Sequence, residues 1–167
     1  MIFETKRLFV TKWQTGELKP LYELFNDEAI KEFILPELTI EETTHILEKQ
    51  LNDYAVHFPF GRYFIVEKSS GEFIGLLLFK ETKNRAGVEI GYSLKKKYWN
   101  NGYATETVKQ SMHWLFTHKR FTSIYAVTET NNTNSQHVLL KCGFAQEENF
   151  IQDGKEMSLF EYLVPDS

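Results

Sequence analysis

Between residues 86 and 129 the apolar spacing changes period twice, and this limits the fold more than any other feature. Residues 86–94 (AGVEIGYSL) alternate as a strand. Residues 103–118 carry helical spacing, with Ala104, Val108, Leu115 and Phe116 on or near one face. Residues 122–129 (TSIYAVTE) read as a strand again. A chain that alternates in this way, inside a longer run of strands, builds a mixed α/β sheet.

The flanking segments extend the pattern. Residues 6–13 (RLFVTKWQ) predict a first strand, and residues 17–33 and 40–57 predict helices. Leu21, Leu24 and Phe25 share a face in the first helix, and Leu47, Leu51 and Tyr54 in the second. Pro36 should break the chain between them, and Thr39-Ile-Glu-Glu42 has the form of a capping box. Strands are expected at 62–68 and 72–81, joined through Ser69-Ser70-Gly71 and followed by a turn at Lys83-Asn84-Arg85. A short helix at 134–142 ends on Gly143, where a C-cap glycine belongs. Strands at 144–151 and 156–164 close a hairpin around Asp153-Gly154. The expected order is βααβββαβαββ, a central, mostly antiparallel sheet of about seven strands with helices on both faces.

Composition narrows the class. The chain has 167 residues, 42% apolar and 25% charged, which suits one globular domain rather than disorder. Its 14 Phe and 8 Tyr fit a sheet-rich core or an apolar cleft. Cys142 is the only cysteine, so no intrachain disulfide forms and a reducing compartment is expected. The longest strongly apolar run, Phe73 to Phe79, is too short for a membrane helix, and MIFETKRLFV lacks a signal-peptide core. A cytoplasmic protein with no membrane association is expected. A net charge of −4 argues against a nucleic-acid partner. No His/Cys cluster suggests a metal site.

The segment Tyr98-Trp-Asn-Asn-Gly-Tyr-Ala-Thr105 joins a strand to the long helix. A helix N-terminus presents unpaired N–H groups and partial positive charge, which suit phosphate. Gly102 lets a ligand approach the backbone, and Ala104 is the next-smallest choice. A structural turn at Asn101-Gly102 is the competing reading, although a helix rather than a strand follows it. Lys95, Lys96 and Lys97, just upstream, read either as attraction for a polyanion or as a solvated strand end.

Trp99-Asn-Asn-Gly102-Tyr-Ala104 resembles the acetyl-CoA loop of the GNAT superfamily, Gln/Arg-x-x-Gly-x-Gly/Ala, with Trp in place of Gln or Arg. The version here, with Thr105-Glu106 following, is similar to the branch that acetylates ribosomal-protein N-termini, the RimJ/RimL type. Glu4-Thr-Lys-Arg-Leu8 and Glu89-Ile-Gly-Tyr92 resemble that branch too. Asn132-x-x-Ser135-x-x-Val-Leu139-x-Lys141-x-Gly143-Phe144 resembles the family's Asn-containing segment. The resemblance covers essentially the whole chain and implies a single N-acetyltransferase domain, 1–167, with the acyl-CoA N-acyltransferase fold. It implies acetyl-CoA as cosubstrate, an amine acceptor and no metal. Tyr92, Ser93 and Leu94 would pair with pantetheine. Trp99 would belong to the same loop, and the amides of Asn100, Asn101, Gly102, Tyr103, Ala104 and Thr105 would cradle the diphosphate. Asn132 and Ser135 would contact the pantetheine end. The splay between the family's fourth and fifth strands would make the slot.

Acetyl transfer needs a neutral amine, hence a general base. Glu89, on the strand expected to line the thioester, is the candidate base; its other reading is an exposed strand carboxylate. Ser135 is the candidate hydroxyl near sulfur. It also reads as a cofactor contact or as part of a helix start, beside a Thr133-x-x-Gln136 capping box. Many family members carry a Tyr seven residues after the motif's Asn, and here that position is Leu139. Cys142 reads as a structural thiol at a packed helix end.

The missing Tyr keeps a second class in play, a non-catalytic acyl-CoA-binding or sensor module of the same fold. The resemblance puts the acceptor among residues 26–40, 53–62 and 149–156, near Phe33, Phe58, Phe60 and Tyr63. Glu28, Glu32, Glu37, Glu41 and Glu42 there suit a cationic acceptor or form a solvated acidic face. A peptide N-terminus and a small-molecule amine both remain open, as do monomer and homodimer.

Overall fold

The structure is a computed structural model that describes residues 1–34, 37–83, 85–119 and 121–163, without the side chains of residues 32–34 and 119. The expected break at Pro36, the turn residue Asn84, the strand end at Val164, and the side chains of Glu32 and Phe33 lie outside the described residues.

The described elements run β1 (Phe3–Glu4), β2 (Leu8–Lys12), α1 (Leu18–Phe25), α2 (Glu28–Ile34), α3 (Ile40–His57), β3 (Gly61–Glu67), β4 (Phe73–Glu81), β5 (Val88–Leu94), α4 (Tyr103–Trp114), β6 (Ser123–Glu129), α5 (Thr133–Lys141), β7 (Ala145–Gln152) and β8 (Lys155–Leu163). One eight-stranded sheet has the order β1-β2-β3-β4-β5-β6-β8-β7. The pairs β1–β2, β2–β3, β3–β4, β6–β8 and β7–β8 are antiparallel, and β5–β6 is parallel. The mixed α/β, mostly antiparallel architecture expected from the sequence is therefore present. The chain forms two compact units, one of Met1–Phe79 with Tyr92–Tyr103, the other of Lys80–Gly91 with Ala104–Ser167.

Three local readings are corrected. The sheet has an extra strand, β1, whose two residues are too few to show alternation; Phe3 is buried and pairs with Val10. The helix expected over 17–33 is two helices. Asn26 breaks it: its amide donates to the carbonyls of Tyr22 and Leu38 and accepts from the Leu38 N–H, while Asp27 Oδ1 accepts from the Ala29 N–H. Such side chains offer the backbone an alternative to the helical ladder. The helix beginning at Tyr103 changes at Trp114 to a π-turn over Leu115–Lys119.

In the first unit, α3 starts where the capping box placed it. Thr39 Oγ1 accepts from the Glu42 N–H, and Glu42 Oε2 accepts from the Thr39 N–H. Thr43, Leu47, Gln50 and Tyr54 are its buried residues, spaced as one helix face. The two polar members are satisfied at their acceptor or hydroxyl ends: Thr43 Oγ1 donates to the Thr39 carbonyl, and Gln50 Oε1 accepts from the Arg62 N–H. Tyr54 stacks on Tyr63 at 5.6 Å, and Trp13 lies 6.0 Å from Phe25 and 5.7 Å from Phe64. These five rings place part of the aromatic content in the core.

In the second unit, β6 runs its whole length against β8, from Ser123↔Leu163 to Glu129↔Met157. The β7–β8 hairpin turns at Asp153 (φ 51°) and Gly154 (φ 76°), as the Asp-Gly pair requires. α5 ends in a Schellman motif: Phe144 N–H donates to the Leu139 carbonyl and Gly143 N–H to that of Leu140, with Gly143 at φ 92°. Among the described residues no helix is long and apolar enough to cross a membrane.

Candidate functional site

The predicted loop residues of the first unit form one continuous segment. After β5 the chain makes a short 3₁₀ turn at Lys96–Tyr98. Trp99 then folds back, its indole N–H donating to the Leu94 carbonyl at 2.8 Å. Trp99 thus ties the loop to the end of β5. Asn100 (φ 60°) and Gly102 (φ 77°) both adopt left-handed backbone, which explains why Asn and Gly stand there. Asn101 Nδ2 donates to the Trp99 carbonyl at 2.8 Å. Gly102 is exposed, and among the described residues its N–H has no acceptor in the protein. Among the described residues, an added Cβ there would meet only Arg7 Nη2, at 3.5 Å. An exposed, unpaired amide in left-handed backbone one residue before a twelve-residue helix fits a phosphate oxygen.

Three residues outside the predicted set hold this loop. Glu72 accepts from Lys97 at 2.8 Å, from Tyr98 Oη at 2.7 Å and from Lys95 at 3.1 Å. Lys97 and then Tyr98 hold its carboxyl down to about 2. Lys95 and Lys97 are therefore committed to an internal carboxylate, which favours their structural reading over polyanion attraction. Glu67 accepts from the Tyr103 hydroxyl, which holds its carboxyl below the usual range. Arg7 donates from Nη1 to the Asn101 carbonyl at 2.9 Å and lies 4.1 Å from the centroid of the Tyr103 ring. Glu67 and Glu72 flank the Ser69-Ser70-Gly71 turn, and no spacing rule links them to residues 23 to 36 positions on. Arg7 carried a signal, since it lies in the Glu4–Leu8 segment that resembles the RimJ/RimL branch.

The second unit carries the other predicted residues. Glu89 lies on β5 opposite Tyr125 in the parallel ladder, whose register is Val88↔Ile124 and Glu89↔Tyr125. Its Oε2 is 3.3 Å from Lys80 Nζ. Ala104 and Thr105 open the part of α4 that belongs to this unit, and the Thr105 carbonyl lies 3.9 Å from Cys142 Sγ. Burial pushes the Cys142 thiol up, so it stays protonated, as a structural thiol should. Asn132 caps α5, its Oδ1 accepting from the Ser135 N–H at 3.1 Å. This corrects the expected Thr133–Gln136 capping box. Gln136 instead donates to the Thr130 carbonyl at 2.8 Å, because the true cap is one residue earlier. Leu139, 1% exposed, is packed in the core and accepts the Schellman bond. Among the described residues no group of three or more His, Cys, Asp or Glu side chains could hold a metal ion.

The chain belongs to the GNAT acetyltransferase family: the family model described as "Acetyltransferase (GNAT) domain" matches residues 7–145. It is thereby an acyltransferase, an enzyme class that moves an acetyl group from acetyl-CoA to an amine. An uncharacterized N-acetyltransferase, p20 of Bacillus licheniformis, is 27% identical over 152 residues, covering 89% of this chain and 84% of that protein. Another, YnaD of Bacillus subtilis, is 26% identical over 149 residues, covering 88% and 84%. Among solved structures, the ribosomal-protein-S5-alanine acetyltransferase of Vibrio fischeri superposes with a TM-score of 0.82 at 19% identity, covering 98% of this chain and 97% of that one. RimL, a ribosomal L7/L12 α-N-protein acetyltransferase solved with coenzyme A, superposes with a TM-score of 0.83 at 15% identity, covering 98% and 97%. The fold is the acyl-CoA N-acyltransferase fold, and its RimJ/RimL-like character is present in these neighbours.

Proposed function

We propose that this protein transfers an acetyl group from acetyl-CoA directly to a primary amine, within a ternary complex and without a covalent enzyme intermediate. The acceptor is a peptide N-terminus or a small-molecule amine. The observation that carries the reading is the exposed, unpaired Gly102 amide in left-handed backbone at the head of α4. Residues 1–167 act as one N-acetyltransferase domain in this reading, supported by a family match that runs through both compact units.

Each residue then has a task. The amides from Asn100 to Thr105, Gly102 above all, take the diphosphate, and Trp99 keeps the loop on the end of β5. Tyr92, Ser93 and Leu94 offer strand backbone to pantetheine, and an N–H there stabilises the developing oxyanion. Asn132 and Ser135 contact the pantetheine end. Glu89 removes the proton that frees the amine lone pair. Bound acetyl-CoA supplies the thioester: the C–N bond forms, the C–S bond breaks, and sulfur leaves as a thiolate. Ser135 is the hydroxyl offered to that thiolate, with Leu139 buried at the position where the family resemblance leads one to expect a Tyr.

The test is binding followed by turnover. Acetyl-CoA and CoA should both raise the melting temperature, since ligand at 100 times its Kd adds about 2.7 kcal/mol. Thiol release should then appear with one or more amines from a panel of peptides, aminoglycosides and polyamines. An unchanged melting curve at millimolar acetyl-CoA would count against the reading.

A further inference from the structure

We infer that Arg62 receives a carboxylate carried by the acceptor, so that the amine this protein acetylates belongs to an amino acid or to a peptide with an acidic residue near its N-terminus. The inference rests on the acetyl-transfer reading above and names the acceptor class which that reading leaves open.

Arg62 is the second residue of β3, and its backbone is held on both sides. Its N–H donates to Gln50 Oε1 at 2.9 Å. Its carbonyl accepts from the Tyr54 hydroxyl, whose oxygen in turn accepts from the Trp13 N–H at 3.1 Å. The side chain is in the opposite condition. The guanidinium is half-buried, yet among the described residues it makes no hydrogen bond, ion pair or ring contact. Burial pushes it below its ordinary value, with the Tyr54 phenol acting the other way. A guanidinium carries five N–H donors, and an arginine withdrawn from water is as a rule paired. A carboxylate fits that fork through two parallel hydrogen bonds.

A second donor on the same side lacks an acceptor. Alternation along β3 puts Arg62 and Phe64 on one face. The ring of Trp13, a residue 2% exposed, packs against Phe64 at 5.7 Å. Among the described residues the Trp13 indole N–H has no hydrogen-bond partner. Lys12, at the end of β2, adds charge at the same end of the sheet. Its ammonium lies 4.4 Å from the Phe58 ring centroid and 5.1 Å from that of Tyr54, and no described carboxylate forms an ion pair with it. Glu17, whose charge reaches Tyr54, accepts from the Gln14 N–H instead. Elsewhere in this unit Lys31 is neutralised by Glu28 at 2.8 Å, and Lys68 by Glu4 at 2.6 Å. Glu28 is thereby taken up, as Glu42 is by its capping box, which weakens the case for a cationic acceptor.

Position along β3 says which substrate brings the anion. Glu67, the last residue of the strand, bonds Tyr103 of the proposed phosphate loop, whereas Arg62 lies at the strand's start. The strand between them spans roughly 17 Å at about 3.4 Å per residue. The phosphates of the cofactor and the Arg62 fork thus belong to opposite ends of β3. In a two-substrate transfer the anion at Arg62 is the acceptor's own.

The experiment measures thiol release at saturating acetyl-CoA for matched acceptors. L-amino acids are compared with their carboxamides. Short C-terminally amidated peptides with Asp or Glu in second place are compared with the same peptides carrying Asn or Gln. Spermidine is the anion-free reference. Wild type should prefer the acidic member of at least one pair about 10- to 100-fold in kcat/KM, as expected for a charge-assisted hydrogen bond. Preference among the amino acids assigns the α-carboxylate, and preference among the peptides assigns the acidic side chain; both support the inference. Arg62→Gln should abolish the preference by raising KM for the acidic member, with kcat and the Kd for CoA nearly unchanged. Arg62→Lys should restore part of it. Lys12→Gln should cost less and act mainly through salt dependence. Equal rates within every pair, preference for the amides or for spermidine, or a preference that survives in Arg62→Gln overturns the inference. If Arg62→Gln does not fold, Arg62→Lys and the wild-type pairs decide. Wild type that binds CoA and acetylates only uncharged or cationic amines overturns this inference alone. Failure to bind CoA, or to turn over any amine, overturns the acetyl-transfer reading, and this inference with it.

Discussion

Lys80 on β4 places its ammonium 3.3 Å from the carboxylate of Glu89 on β5, so the proposed base carries a cationic partner. The Lys80 side chain is 53% exposed and that of Glu89 23%, which makes the pair partly solvated and leaves the carboxylate reachable. If Glu89 takes the amine proton, Glu89→Gln should lower turnover about 10²- to 10⁴-fold with acetyl-CoA affinity nearly intact. Lys80→Ala should cost less, since it removes only the partner. Steady-state kinetics across pH with one good acceptor checks this, and wild-type turnover in Glu89→Gln removes Glu89 from the mechanism.

Gly102→Val should weaken CoA binding for two reasons. At φ 77° a β-branched residue is strained, and its side chain would enter the space beside Arg7 Nη2. Gly102→Ala should show the same direction to a smaller degree. The control is exposed Lys96→Ala, which should alter mainly the salt dependence. Calorimetry on folded variants measures all three. Equal CoA affinity in wild type and Gly102→Val would show that the loop does not bind the diphosphate.

Asn132 holds a cap and is proposed to hold a cofactor, and two substitutions separate the tasks. Asn132→Ala should destabilise the fold by about 1 kcal/mol through loss of the bond to the Ser135 N–H. Asn132→Asp keeps the accepting oxygen and removes the amide donor. It should therefore retain stability while weakening CoA binding. Thermal denaturation and a binding isotherm together give the answer; unchanged CoA affinity in Asn132→Asp would confine this residue to capping.

Glu72 makes the loop sensitive to acid. Its carboxyl is held at about 2, below the ordinary value of 4.5, because Lys97, Tyr98 and Lys95 donate to it. A lowered folded-state value means the unfolded chain binds the proton first as pH falls. The stabilisation from Glu72 is thus fully present above about pH 4.5 and is lost progressively towards pH 2. Glu72→Gln should be less stable at neutral pH and show a shallower fall in stability between those values. Parallel slopes for both proteins in denaturant titrations would mean the pairing contributes nothing.

Much of this was legible in the sequence because it is local. The α3 capping box, the Gly143 cap and the Asp153-Gly154 turn are each set by residues within a few positions of one another. The loop also reads locally, since Asn100 and Gly102 supply the left-handed backbone themselves. What escaped was tertiary. Asn26 is an unremarkable helix residue until Leu38 returns to meet it. Glu72 and Arg7 matter only because the fold brings distant segments to the loop. The capping error at α5 has a smaller cause: Asn132 and Thr133 are both good caps, and the geometry chose the first.

The strand order β6-β8-β7 has a consequence for synthesis. The ribosome makes β6 and β7 before β8, yet β8 is the strand that lies between them. Until residues through Leu163 have emerged, β7 has no neighbour in the sheet and β6 lacks its antiparallel partner. Two strand edges therefore stand unprotected in the nascent chain, open to pairing with other chains. Chaperone demand should peak late in translation, and a stalled chain ending before Lys155 should aggregate where one ending after Leu163 stays dispersed.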